Sequence, residues 1–310
     1  MLSYLADLTL RLAAAAERLP PDVRDRHAGY LRDAQRPDGG FGGRDGGSDL
    51  YYTGFATRGL AMLGQLEGEV AAATGRFLLS RLSSQAPVVD LVSLLSAGVL
   101  LSLAAGIDIF SDSPAAWRDG LAAELDRLHR PDGGCAKGAE GQKSSTYHTF
   151  LVLLCHQLID RPIPDPDGIA AFLLSQRRED GGFVEIQPMQ RSGTNPTAAA
   201  VAALKMVDQL SPQVAHPAAD FLAGMQTEEG GLRANTRIPT ADLLSTFTGL
   251  LTLLDLEAAG QIDLAAAGKY AAGLEDSQGG FHGAVWDSGT DVEYTFYGLG
   301  TLALVHRTLP

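Results

Sequence analysis

Apolar residues along the chain fall into two alternating textures. Segments of the first kind place apolar residues on one helical face and polar residues on the other, then stop at a glycine pair: LRDAQRPDGGF, LDRLHRPDGGC, LLSQRREDGGF, LAGMQTEEGGL and GLEDSQGGF. Glycine is the common residue just past a helix C-terminus, because it adopts the left-handed conformation without a Cβ penalty. A polar loop of about ten residues follows, and then a second segment that is apolar nearly all round. The pattern predicts a helical hairpin, with an amphipathic outer helix followed by a buried inner helix. A further amphipathic helix is predicted at about residues 4–18; interrupted by Asp7, Arg11 and Glu17, it reads as such a helix and not as a signal peptide.

The glycine pairs give the period. They begin at Gly39, Gly133, Gly181, Gly230 and Gly279, at offsets of 94, 48, 49 and 49 residues. The first offset is a double period, so one repeat has lost its glycines. The second segments supply it independently. Aligned from Asp49, Asp90, Ser145, Gly193, Asp242 and Asp291, they carry Thr53, Leu94, Thr149, Thr197, Thr246 and Thr295 at the fifth position, at offsets of 41, 55, 48, 49 and 49. Two unrelated landmarks therefore give one period and six hairpins. Such hairpins can stack as an open solenoid or close on themselves. A solenoid has no requirement for glycines between its paired helices, so the expectation is closure into one domain over residues 1–310.

Composition narrows the picture. The formal net charge is −13, with 24 Lys and Arg against 37 Asp and Glu, and no basic block is present, which argues against nucleic acid or an anionic membrane surface as partner. The two cysteines, Cys135 and Cys155, form no CxxC pair, and such sparse thiols point to a reducing, cytoplasmic setting. The longest uncharged apolar run, Leu91 to Ile107, is 17 residues, short for a membrane span and placed where a buried inner helix belongs.

The QxxDGGF segment, polar loop and apolar helix resemble the repeat of the terpenoid-cyclase and protein-prenyltransferase β-subunit superfamily, over Gly29 to about Thr308. The resemblance implies an all-α fold, an α/α toroid of six inner and six outer helices. The last three repeats are most similar to the Rab-type geranylgeranyltransferase β subunit. Asp242 stands where that family has the Asp of its DxC zinc motif, and TDVEYTFYGLGTLAL resembles its D-x-x-H-T-x-x-G segment. The other two zinc-ligand positions hold Leu244 and Tyr294, neither suited to zinc, so zinc is not expected. The DxDD acid motif of class II cyclases is absent from the sequence.

In such a toroid the first turns of the inner helices face the central cavity. These turns hold Asp49, Asp90, Asp242 and Asp291 at the first position, then Tyr51, Tyr52, Tyr147, His148, Ser245, Glu293 and Tyr294. Helix capping accounts for one Asp per repeat. The close pair Asp291 and Glu293 also suits an acid of raised pKa, or a Mg²⁺ ion bridging to a diphosphate. The catalytic candidates are Asp291, Glu293, Asp242 and Tyr294. For substrate, Tyr51, Tyr147, His148 and Phe247 could line an apolar pocket beside Asp49 and Asp90. Basic residues recur in the loop before an inner helix, as Arg44, Lys143, Arg191 and Arg237, and Arg191 and Arg237 are the better candidates for a diphosphate.

The resemblance implies an isoprenoid-diphosphate enzyme, either a prenyltransferase without the usual zinc or a small terpene cyclase. It needs no certain cofactor and takes an isoprenoid diphosphate or another apolar small molecule. Two alternatives stay open: a binding or scaffold toroid paired with another protein subunit, and a carbohydrate-active toroid enzyme.

Overall fold

The structure, a computed structural model, describes residues 3–82, 86–138, 140 and 143–308. Helix α1 (Tyr4–Ala16) fills the N-terminal position expected for it. Six outer–inner pairs follow. They are α2 (Pro21–Asp33) with α3 (Leu50–Met62), α4 (Gly68–Leu79) with α5 (Val88–Ala105), and α6 (Trp117–Asp126) with α7 (Thr146–Leu158). The later pairs are α8 (Pro166–Ser175) with α9 (Thr194–Met206), α10 (Pro212–Ala223) with α11 (Leu243–Asp255), and α12 (Leu264–Gly273) with α13 (Val292–Thr308). A short antiparallel pair, β1 (Phe281–His282) and β2 (Thr290–Asp291), shapes the last loop.

The chain packs as two compact units, Met1–Ala115 with Ala271–Pro310, and Ala116–Tyr270. In the first, α3 packs against α5 and α13, while α1 lies on α13 and α3. In the second, α9 packs against α7 and α11, with α8 and α10 on its outer side. The core there includes Leu153, Ile169, Phe172, Phe183, Val201 and Leu204. Helix α5 is long and apolar enough to cross a membrane, with a mean hydropathy of 2.2, but it packs against α3 and α4.

The inner-helix threonines explain the repeat. Each is fully buried. Each accepts a hydrogen bond from the backbone N–H just after a glycine pair: Phe41 to Thr53, Cys135 to Thr149, Phe183 to Thr197 and Leu232 to Thr246 at 2.9 Å, and Phe281 to Thr295 at 3.3 Å. Each then donates its hydroxyl to the carbonyl four residues earlier. The threonine therefore satisfies a loop amide that folding removes from water. The second repeat has no glycine pair and has Leu94 at the position. Thr197→Val keeps the shape but orphans the Phe183 N–H, so it is expected to cost about 1–3 kcal/mol in urea unfolding.

The first glycine of each pair sits against the next outer helix. A Cβ there would lie 2.2 Å from the Ala73 carbonyl oxygen at Gly39, 2.1 Å from that of Gly168 at Gly133, 2.3 Å from Pro217 at Gly181 and 2.4 Å from Ala266 at Gly230. Gly279, in the last repeat, meets Arg26 of α2 in the same way, at 2.9 Å from its carbonyl oxygen. Gly168, Pro217, Ala266 and Arg26 each lie 13 residues before the first glycine of their own repeat. The sixth repeat thus docks on the first through the contact that other repeats make with their successors. His27 seals this seam. It stacks on Phe281 at 4.7 Å, its Nδ1 accepts from the Gly280 N–H at 3.0 Å, and its Nε2 lies 2.9 Å from Glu275. Burial, with Arg26 beside it, lowers the His27 pKa to about 4, so the ring is neutral and can accept at Nδ1.

Candidate active site

The first turns of α3 and α13 are neighbours in the first unit, and they bring most of the catalytic candidates together. Asp291 caps α13, accepting from the Tyr294 N–H at 2.9 Å through Oδ1. Its Oδ2 accepts from Arg44 Nε at 3.1 Å. Arg44 also grips Asp287 with both terminal nitrogens, at 2.7 and 2.6 Å, and lies 5.6 Å from the Tyr294 ring centroid. The Arg44 fork holds Asp287 near a pKa of about 2. Arg44 therefore positions the acidic end of α13, not a free anion. Burial pushes the Asp291 carboxyl up, against the pull of the Tyr294 N–H and Arg44.

Glu293 has a different environment. It is half-buried, and burial raises its pKa, with the Asp291 charge adding to the rise. The Tyr51 hydroxyl donates to its Oε1 at 2.7 Å and opposes the shift. Around this pair the rings of Tyr51, Tyr52, Phe55, Phe296 and Tyr297 meet edge to face or tilted, with centroids 5.0–5.7 Å apart. Such geometry aims positive ring edges at negative ring faces. Arg58 stacks over Phe55 at 4.4 Å and Phe296 at 5.3 Å. Phe55 and Phe296 are buried, whereas Tyr51, Tyr52, Glu293 and Tyr294 keep an accessible side.

Asp49 caps α3 through the Tyr52 N–H at 2.8 Å. Asp90 departs from the expected alignment. Helix α5 begins at Val88 after Pro87, so Asp90 lies inside the first turn and is no cap. The proline ahead of the helix sets the start, as proline commonly does. Burial raises the Asp90 pKa, and the Asp49 charge adds to it.

The remaining candidates lie in the second unit. Asp242 caps α11, accepting from the Ser245 N–H at 2.7 Å and the Ser245 hydroxyl at 2.8 Å. Both carboxylate oxygens are thus engaged, and Leu244 beside it has no donor atom. The pair does not fit the role of zinc ligands. His148 Nδ1 lies 2.7 Å from the Ser145 hydroxyl, Tyr147 is exposed, and Phe247 is buried at 3%. Arg191 and Arg237 are exposed on their loops. Sequence patterns did not reveal Asp287 or Arg58, because their partners lie far along the chain or on the same helix without a distinctive motif.

The family model "Prenyltransferase alpha-alpha toroid domain" matches residues 2–237 and 198–309. The chain belongs to the prenyltransferase α-α toroid family. Its fold is the α/α toroid, as the repeat implied. Among solved structures, Candida albicans protein geranylgeranyltransferase-I in complex with GGPP is similar at 17% identity and a TM-score of 0.69, covering 91% of each chain. The type II terpene cyclase MstE from Scytonema, in complex with geranylgeranyl dihydroxybenzoate, is similar at 14% identity and a TM-score of 0.65, covering 98% of this chain and 100% of the other. At such identities the likeness concerns the fold alone, and a shared fold does not fix the reaction. No curated protein matches the chain by sequence.

Proposed function

We propose that this toroid is an isoprenoid-processing enzyme that begins its reaction by protonating a carbon–carbon double bond, with Glu293 as the acid. The observation that carries the reading is the Glu293 carboxyl, kept toward its neutral form by burial and set among aromatic rings with the Tyr51 hydroxyl at 2.7 Å. Burial, with the Asp291 charge beside it, shifts Glu293 toward the protonated form that a general acid needs. As the proton passes to an alkene carbon, the new carboxylate is stabilised by the Tyr51 hydroxyl, and the carbocation by exposed ring faces. Asp291, clamped by Arg44, holds the α13 terminus in place.

No step passes through zinc, since Asp242 is committed to its cap and Leu244 offers no ligand. A Mg²⁺ ion at Asp291 would compete with the Arg44 guanidinium already there. Two buried free thiols, Cys135 and Cys155, support a cytoplasmic setting.

Binding is tested by thermal melting with geranylgeranyl diphosphate and geranylgeranyl dihydroxybenzoate. A ligand at about 100 times its Kd adds about 2.7 kcal/mol, so one of these probes should raise Tm by several degrees. No shift at saturation with either probe would remove the isoprenoid reading.

A further inference from the structure

We infer that the third repeat carries a zinc-binding site formed by Asp126, His129 and His156, apart from the acid site on α3 and α13. The three side chains offer ligand atoms that all lie within 4.8 Å of one another. Asp126 ends α6, His129 follows in its terminal turn, and His156 lies in the last turn of α7. The donors therefore join an outer helix to its own inner helix.

Comparison among the six repeats shows that this grouping is specific to the third. His156 lies seven residues after Thr149, and the same offset in the other repeats gives Leu60, Leu101, Leu204, Leu253 and Leu302. Those leucines are buried core residues. His129 lies four residues before Gly133, where the other glycine pairs have Gln35, Arg177, Gln226 and Glu275. Gln35 and Gln226 use this position to tie the loop to the next outer helix, bonding Val70 and Thr74, or Asp263. His129 makes no such bond through Nε2, which is buried without a hydrogen-bond partner among the described residues.

His156 is the decisive residue. It is 2% exposed, and neither ring nitrogen has a hydrogen-bond partner among the described residues. Burying an imidazole without partners, where leucine serves five times, is unfavourable unless something else binds it. Its Nε2 lies 3.7 Å from Asp126 Oδ1, too long for a hydrogen bond. Two ligand atoms on a tetrahedral zinc ion with bonds of about 2.0 Å stand about 3.3 Å apart, close to this spacing. Asp126 is exposed, so its carboxylate can rotate inward. A neutral imidazole is the form that ligates a metal. Two imidazoles and one carboxylate suit Zn²⁺ and leave a fourth position for water. The ion would pin α6 to α7.

The test uses the full chain, freed of metal and of any affinity tag, titrated with Zn²⁺ by calorimetry and thermal melting. The expected result is one tight site per chain and a raised Tm. His156→Leu and His129→Gln place the residues of other repeats at these positions, so the fold is expected to persist. Each should weaken Zn²⁺ binding beyond the roughly 100-fold that loss of an outer-shell partner costs, and remove the Tm shift. Asp242→Asn should leave both intact, which separates this site from the family's zinc position. Equal Zn²⁺ affinity in the wild type and in either histidine variant would overturn the inference, as would the absence of tight binding in the wild type.

Discussion

Glu293→Gln is expected to lower turnover of an isoprenoid substrate by about 10²–10⁴-fold, the range that a positioned general acid contributes. The amide keeps an oxygen that can accept from Tyr51, so the ring cluster on α3 and α13 has no reason to repack. Far-UV dichroism and Tm should therefore stay close to wild type while product formation falls. Asp291→Asn should behave differently. It weakens the clamp from Arg44, whose two other bonds go to Asp287 at 2.7 and 2.6 Å, and so should lower Tm together with activity. Wild-type turnover in Glu293→Gln would exclude Glu293 as the acid.

Gly181→Ala is expected to destabilise the chain by roughly 3–5 kcal/mol, at the upper end of single-residue effects. Two independent costs combine. The residue has φ +87°, which an L side chain rarely adopts, and its new Cβ would lie 2.3 Å from the Pro217 carbonyl oxygen of α10. That neighbour is helix backbone and cannot rotate away. Gly64→Ala separates the two costs, because Gly64 has φ +67° but nothing within 4 Å of a new Cβ. It should lose only about 1–2 kcal/mol, the left-handed penalty alone. Urea unfolding measures both, and equal losses would show that the close approach between successive repeats has no energetic weight.

Those glycines also show how much of the fold was legible in the sequence. A repeated residue is legible when each copy meets the same local need. The glycine pairs and threonines recur because each loop amide needs an acceptor and each outer helix comes close to a loop. The second repeat confirms this by losing both features together. Asp90 was misplaced because the alignment put it at the cap position of its helix, whereas Pro87 caps α5 three residues ahead of that frame. At the site, the pairing of Tyr51 with Glu293 joins residues 242 positions apart and that of Arg44 with Asp287 joins residues 243 apart. No local pattern encodes such pairs. They depend on the sixth repeat docking on the first, which the period implied only as closure. The unusual histidines of the third repeat were visible as letters, but their meaning needed the burial of His156.

The most direct test of protonation by Glu293 is turnover of geranylgeranyl dihydroxybenzoate and geranylgeranyl diphosphate in D₂O, read by mass spectrometry. In D₂O the Glu293 carboxyl exchanges its proton for a deuteron. Acid-initiated cyclisation delivers that deuteron to an alkene carbon and loses a proton at the end, so the product should gain one deuterium and retain its head group. Product without deuterium, formed with release of diphosphate, would contradict the account, as would no turnover of either probe.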